Sequence, residues 1–284
     1  ASLGQRAADD DFHRAADHFA AVTLEDGNRH SARFLVTAIG PLSAPTFPRI
    51  EGLDTFQGQS FHTAHWPHAP VSFAGKRVAV VGTGASAFQL VPEIAKSAAQ
   101  VSVFQRSAAW MTPNPRYHSA VPDGMKWLLK HLPYYGRWYR FLIFWPSSDQ
   151  LLRVFKIDPE WPHPERSVNA LNEEQRVMFT AYLASQVGDR PELLAKVTPS
   201  YPPFGKRMLM DNGWYRMLRN PKVELVTERV TKVEPDALVT ADGSRYEADV
   251  LVLATGFDVL RFITTFDAVG REGRSLREVW EDDN

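Results

Sequence analysis

Cysteine is absent from the 284 residues. That single absence excludes disulfide scaffolds, thiolate zinc sites, cysteine nucleophiles and redox cysteine pairs, and it fits a reducing compartment. Long apolar runs are absent too, since no stretch approaches the about 20 residues that cross a bilayer. The longest candidate, Phe141-Leu142-Ile143-Phe144-Trp145, stops at Pro146 and follows Arg137 and Arg140. It reads as a buried or partner-facing helix rather than a membrane anchor. Excess charge of one sign is also missing. With 32 Lys and Arg against 33 Asp and Glu, the formal charge of −1 leaves no overall field to hold nucleic acid or an anionic membrane, and neither is expected as a partner. Residues 1–11 lack a basic stretch followed by an apolar core, so no secretory signal is read there and the expected location is cytoplasmic. The chain opens on Ala1 without a methionine, a first indication of truncation.

What is present is the makeup of an ordinary globular protein, 44% hydrophobic and 23% charged, long enough for two domains at about 100–200 residues each. Ala20–Leu24 and Ser31–Thr37 alternate as strands about a turn at Glu25-Asp26-Gly27-Asn28, predicting a hairpin that leads into a buried strand ending at Gly40. Pro41, Pro45 and Pro48 then impose an extended connector and a domain boundary. Lys76–Val81 is a β-branched run suited to the middle of a parallel sheet. It enters a Gly-rich loop, a helix through Ala98 and a second strand, Gln100–Phe104. Residues 115–203 read as a helical insertion, whose helix-spaced aromatics, Trp127 to Trp145, are expected first as core and otherwise as a substrate entrance or subunit contact. Strands return at Val223–Val226, Arg229–Val233, Ala237–Thr240 and Val250–Leu253. Phe34–Gly40 and Val250–Gly256 share a pattern, a buried strand closing on glycine, which implies two nucleotide-binding units although only one Gly-rich loop is present.

That loop is Gly82-Thr83-Gly84-Ala85-Ser86-Ala87. In a G-x-G-x-x-A pattern between strand and helix, the first Gly permits the tight turn, the second lets backbone approach a pyrophosphate, and Ala keeps the helix close to the strand. The helix N-terminus then presents free N–H groups to phosphate. The second strand closes on Gln105-Arg106-Ser107, without the acid that an NAD site uses for the ribose 2′-hydroxyl. A guanidinium fork and a hydroxyl suit a 2′-phosphate instead, so NADPH is favoured over NADH.

Upstream lies Phe56-x-Gly58-x-x-x-His62-x-x-x-Trp66-Pro67. By spacing alone His62 reads first as a packed, hydrogen-bonded residue, and Lys206-Arg207 as a solvated basic pair. The full pattern resembles the fingerprint of the Baeyer–Villiger monooxygenases, F-x-G-x-x-x-H-x-x-x-W-P or W-D, placed just before an NADPH-binding Gly loop. Gly40-Pro41-Leu42-Ser43-x-Pro45, Gly52, Arg106-Ser107, Tyr201-Pro202-Pro203-Phe204-Gly205-Lys206-Arg207 and Ala254-Thr255-Gly256-Phe257-Asp258 fit the same resemblance, which runs from Ala20 to Trp280. Asn212-Gly213 and the helical insertion are most similar to the 4-hydroxyacetophenone monooxygenase branch.

The resemblance implies an α/β fold, a Rossmann-like NADPH domain with a helical insertion plus partial strands of a second, FAD-binding Rossmann-like domain. The implied segments are 1–47 and 248–284 for the flavin domain, 48–114 and 204–247 for the NADPH domain, and 115–203 for the insertion. It implies that NADPH reduces FAD, that O₂ is captured as a C4a-peroxyflavin, and that one oxygen atom enters a ketone to give an ester or lactone. Gly82, Thr83, Gly84, Ala85, Ser86 and Ala87 would hold the pyrophosphate, Arg106, Ser107 and Lys206 the 2′-phosphate. Arg207 would be the catalytic cation, keeping the peroxide deprotonated. His62, the other candidate catalytic residue, would sit on an interdomain linker and, with Trp66, couple NADPH binding to domain arrangement. Residues 1–50 carry only Gly4, Gly27 and Gly40, not a flavin loop, so truncation at both ends is expected. Two other readings stand beside this one: an inactive NADP-binding fragment of such an enzyme, and an N- or S-oxygenating flavin monooxygenase, whose fingerprint lacks Trp66-Pro67.

Overall fold

A computed structural model describes residues 20–24, 26–146, 148–259, 268–269 and 273–281. The remaining parts of the expected flavin-domain segments, residues 1–19 and most of 260–284, lie outside the described residues. The elements in order are β1 (Ala20–Thr23), β2 (Arg29–Ala32), β3 (Gln59–His62), β4 (Arg77–Val81), α1 (Ala85–Ile94), β5 (Gln100–Phe104), β6 (Met111–Thr112), α2 (Asp123–His131) and α3 (Tyr135–Phe144). There follow α4 (Leu152–Phe155), α5 (Ala170–Val187), α6 (Pro191–Val197), β7 (Leu209–Met210), α7 (Trp214–Met217), β8 (Val223–Val226), β9 (Val230–Glu234), β10 (Ala237–Thr240), β11 (Arg245–Glu247), β12 (Val250–Leu253) and α8 (Leu276–Glu281).

The chain divides into two compact units, Arg49–Ala254 and the residues on either side of it. The larger is built on a five-stranded parallel sheet in the order β3-β12-β4-β5-β8. Its central strands β12, β4 and β5 are buried on both faces, as parallel sheets covered on both sides are. Alternate residues therefore enter two cores. Val78, Val80, Val101, Val103, Val250 and Val252 pack with Phe88 and Val91 of α1 and Phe179 and Leu183 of α5. Ala79, Phe104, Leu251 and Leu253 pack on the other face against Val233 and Leu238 of the antiparallel sheet β11-β10-β9. The result is a layer of helices, a parallel sheet and a small antiparallel sheet.

In the smaller unit β1 and β2 form the expected antiparallel hairpin, pairing Ala20 with Ala32 and Thr23 with Arg29. Gly27 takes φ +81° in its turn, a conformation that glycine adopts without steric cost. Thr46 and Gly256 are joined by a backbone hydrogen bond of 2.9 Å, and Asp258 and Ala44 by another of 2.8 Å.

Three expectations are corrected. Phe34–Gly40, read as a buried strand, lies outside any strand, and Phe34 and Val36 are 81% and 84% exposed. The same pattern at Val250–Leu253 is fully buried because β12 lies between β3 and β4 in a sheet covered on both faces by helices and by the antiparallel sheet, whereas no strand among the described residues pairs with 33–40. Both segments are apolar runs, and the difference is a sheet to join and layers to cover its faces. Next, β12 is a central strand of the larger unit's sheet, although the flavin-domain segment was expected to start at 248. Finally, the aromatics of the insertion are not core. Neither α2 nor α3 contains a buried residue. The core of this region comes instead from Phe179, Leu183 and Val187 of α5 and Leu193 and Val197 of α6.

Candidate active site

The carboxyl ends of β3, β12, β4, β5 and β8 form one edge, with His62, Leu253, Val81, Phe104 and Val226 in consecutive register. The chain order reverses between β4 and β12, and in open α/β sheets ligands bind at such a switch point, outside the carboxyl ends.

β4 leads directly into the Gly loop. Gly82 has φ +109°, a backbone that L side chains rarely adopt, and its N–H donates to the Phe104 carbonyl at 3.0 Å. Gly84 is extended, at φ −77° and ψ −173°, and starts α1 without any side-chain cap. A Cβ placed on Gly84 would meet nothing within 4 Å. The first intrahelical bond is Phe88 N–H to the Gly84 carbonyl at 3.0 Å, so the N–H groups of Ala85, Ser86 and Ala87 have no acceptor inside the helix. Open space in front of uncapped N–H groups at the positive end of a 10-residue helix is where an anion binds. Ala87 is fully buried, which brings α1 close to β4.

At the end of β5, Gln105 turns inward and its amide donates to the Lys196 carbonyl at 2.7 Å. Arg106 and Ser107 face solvent. The Thr83 hydroxyl reaches the Ser107 carbonyl at 3.4 Å, and the Lys206 ammonium donates to the Ser107 hydroxyl at 3.0 Å. The structure therefore brings together Thr83, Ser107 and Lys206, with Arg106 adjacent in sequence. No carboxylate is hydrogen-bonded to this group among the described residues. Arg207 is exposed, one residue beyond Lys206.

His62 is not on a linker. It is the last residue of β3, 1% exposed, and its Nδ1 accepts the Ala64 N–H at 3.0 Å. It lies two strands from the Gly loop, about 10 Å at the usual strand spacing. Trp66 packs edge-on against Phe61 with ring centroids 4.8 Å apart.

The residues that position this edge were not all legible beforehand. Trp110 Nε1 donates to the Tyr201 carbonyl at 2.8 Å, and the Tyr201 hydroxyl donates back to the Ala108 carbonyl at 3.1 Å. Tyr215 donates to the Ala109 carbonyl at 3.2 Å. β6 and β7 pair in parallel, Met111 with Leu209 and Thr112 with Met210. Together these contacts fasten 108–112 to 201–215. The Lys206 ammonium lies 4.6 Å from the Tyr201 ring centroid, a cation–π contact. Burial pushes the Tyr201 phenol above its ordinary pKa of 10.0, so it stays a neutral donor. Phe204 takes φ +66°, a strained position for a non-glycine residue, held by packing on Phe155 and Phe179. Partners 91 and 93 residues apart leave no local signal.

Residues 7–126 match the family model FMO-like, flavin-binding monooxygenase-like. The uncharacterized monooxygenase y4iD of Sinorhizobium fredii is 43% identical over 88% of this chain and 38% of its own length. Over these residues the sequence is similar to the FMO-like flavin monooxygenases. A Baeyer–Villiger monooxygenase of Streptomyces coelicolor is 37% identical over 88% of this chain and 46% of its own. Among solved structures, OTEMO in complex with FAD and NADP superimposes with a TM-score of 0.75 at 28% identity, covering 94% of this chain and 56% of that one. The chain spans about half the length, or less, of these relatives. These matched proteins are described as flavin-binding or Baeyer–Villiger monooxygenases, and they bear out the resemblance read from the Gly loop and the His62-Trp66-Pro67 fingerprint.

Proposed function

We propose that this chain supplies the NADPH site of a Baeyer–Villiger-type monooxygenase that inserts one oxygen atom of O₂ into a ketone, giving an ester or lactone. The observation that carries the reading is the Lys206–Ser107 hydrogen bond of 3.0 Å, which sets an ammonium and a hydroxyl beside Arg106 where β5 ends. An NAD-type site would place an acid there.

The residues fit the nucleotide. Ala85, Ser86 and Ala87 would offer N–H groups to the pyrophosphate across the open space at Gly84, and Thr83 would flank it. Arg106, Ser107 and Lys206 would hold the 2′-phosphate by charge-assisted hydrogen bonds. When bound, NADPH supplies hydride to FAD, and reduced FAD activates O₂. Arg207 is an exposed cation available to negative charge that develops on the substrate oxygen. His62, buried beneath the sheet edge, acts on this reading through the position of β3 and Trp66. No FAD-binding residue is assigned, because residues 1–50 carry only Gly4, Gly27 and Gly40, not a G-x-G-x-x-G loop. Oxygenation is therefore attributed to the whole protein and NADPH binding to this chain. On the resemblance of the insertion and Asn212-Gly213, the ketone is an aryl ketone.

Calorimetric titration of the 284-residue chain tests the nucleotide assignment. NADPH should bind at least ten-fold more tightly than NADH, and equal affinities would sink it. A second reading is an NADP-binding chain without oxygenase activity. Flavin absorbance in the purified chain together with NADPH-dependent oxygenation of an aryl ketone would remove it.

A further inference from the structure

We propose that the α2–α3 hairpin is a membrane-surface site that seats in the headgroup region of an anionic bilayer. The two helices touch through half-buried Met125, Tyr135 and Gly136 and exposed Leu129. The Tyr135 hydroxyl contacts the Met125 sulfur at 3.6 Å, and Gly136 faces Leu129. The outer side is left bare. Tyr134, Trp138, Phe141 and Trp145 recur at i, i+4, i+7 and i+11, which places them on one helical face. They are 76%, 57%, 44% and 42% exposed. Trp138 stacks on Phe141 at 5.4 Å and Phe141 on Trp145 at 5.7 Å, and Trp127 on α2 is 58% exposed. Monomeric soluble proteins rarely expose contiguous apolar surface of this kind without a use for it.

Charge selects the occupant. From Gly124 to Ser148 the sequence holds Lys126, Lys130, Arg137 and Arg140 and no Asp or Glu. Lys126 pairs with Asp123 at the start of α2, and the Arg137 guanidinium lies 5.7 Å from the Tyr134 ring. A second copy seated on this face by a two-fold axis would set like charges against like, Asp123 being the one acid within α2 and α3. An anionic lipid surface is complementary to the same cations, attracting each by about 1 kcal/mol, or roughly five-fold in affinity. Tryptophan and tyrosine are the side chains that favour the headgroup depth, apolar on one side and hydrogen-bonding on the other. No helix among the described residues is long and apolar enough to cross a membrane. A helix of 10 residues, about 15 Å long, lies in the interface instead. The overall charge of −1 gave no reason to expect a membrane partner; the local charge does.

Co-sedimentation of the 284-residue chain with lipid vesicles tests the proposal. The chain should pellet with phosphatidylglycerol/phosphatidylcholine vesicles and bind at least ten-fold more weakly to pure phosphatidylcholine. Arg137→Glu with Arg140→Glu, and separately Trp138→Glu with Phe141→Glu, should each lower affinity at least ten-fold, with far-UV circular dichroism unchanged. The wild-type chain gives an independent reading, because brominated phosphatidylglycerol should quench tryptophan fluorescence. Failure to pellet, equal binding to neutral vesicles, or no quenching would overturn the proposal. So would a dimer in sedimentation equilibrium that Trp138→Glu dissolves while vesicles remain unbound.

Discussion

Lys206 and Ser107, 99 residues apart in sequence, are joined by a 3.0 Å hydrogen bond at the carboxyl edge of the parallel sheet. The pairing makes one polar surface from two distant segments, the end of β5 and the turn before β7. Because Ser107 also accepts from Thr83 through its carbonyl, that surface is continuous with the Gly loop.

Removing the ammonium should therefore change which dinucleotide binds. Lys206→Ala deletes a charge-assisted contact to the 2′-phosphate, an interaction of about 1.5–3 kcal/mol. The dissociation constant for NADP⁺ should rise roughly ten-fold or more, and that for NAD⁺ less than two-fold. Arg106→Ala should behave alike. Calorimetric titration of both nucleotides checks this, and equal losses for the two would show that the contact is not to the 2′-phosphate.

Tyr201 acts on the same contact from behind. Its hydroxyl holds the Ala108 carbonyl at 3.1 Å while its ring carries the Lys206 ammonium. Tyr201→Phe keeps the ring and loses one hydrogen bond, about 1 kcal/mol. Tyr201→Leu loses the cation–π contact as well. The expected order of NADP⁺ affinity is wild type, then Phe, then Leu, with NAD⁺ affinity nearly constant. A merely structural role would lower both affinities together.

The two loop glycines should separate fold from binding. Gly84 has an ordinary φ and open space where a Cβ would sit, so Gly84→Ala should keep or slightly raise Tm by restricting the unfolded chain. The same methyl group occupies the space assigned to the pyrophosphate, and nucleotide affinity should fall at least ten-fold. Gly82 at φ +109° behaves oppositely. Gly82→Ala forces a strained backbone at about 1–3 kcal/mol, and Tm should drop with binding. Thermal melts with and without NADP⁺ distinguish the two.

How far the sequence carried these conclusions depended on the range of the interactions. The unit β4–α1–β5 was readable because strand, loop and helix are contiguous, and apolar runs with turn glycines carry local signals. Val223–Val226, Ala237–Thr240 and Val250–Leu253 were readable for the same reason. The sheet order was not, since β12 enters between β3 and β4 from the far end of the chain. Nor was the exposure of Phe34, Val36 and the α3 aromatics, because periodicity shows that a face is apolar but not whether a partner covers it. In the site, Gly82 to Ala87, Arg106 and Ser107 followed from their pattern. Lys206 and Arg207 needed the family resemblance, and Tyr201 and Trp110 needed the structure.

Arg77 and Asp249 predict a pH dependence of stability. The Asp249 carboxylate accepts from Arg77 Nη2 at 2.6 Å, Nε at 3.3 Å and the backbone N–H at 2.8 Å, tying the starts of β12 and β4. These bonds hold the Asp249 pKa below its ordinary 3.8. A depressed folded-state pKa contributes stability that is present above the unfolded value and is lost as pH falls through the folded one. Asp249→Asn should therefore lower Tm at pH 7 by a few degrees. The difference from wild type should shrink as pH drops below about 4. Because both side chains are more than one-third exposed, added salt should also shrink it. A gap that persists undiminished at pH 2 would assign the effect to packing rather than to the ion pair.

Arg207 gives the sharpest separation between the two halves of the proposed reaction. It follows Lys206 directly but is not hydrogen-bonded to Ser107, so its removal leaves the 2′-phosphate contacts in place. In the whole protein, Arg207→Ala should keep NADPH affinity within about two-fold of wild type and still allow flavin reduction, followed by the loss of flavin absorbance under anaerobic conditions. Ester or lactone formation should fall by roughly 10² to 10³, the cost of deleting one group that stabilises developing negative charge. Arg207→Lys, which keeps the charge on a shorter and less extended donor array, should recover part of that loss. Product formation by Arg207→Ala at the wild-type rate would show that the cation is a solvated neighbour of Lys206 with no part in oxygen insertion.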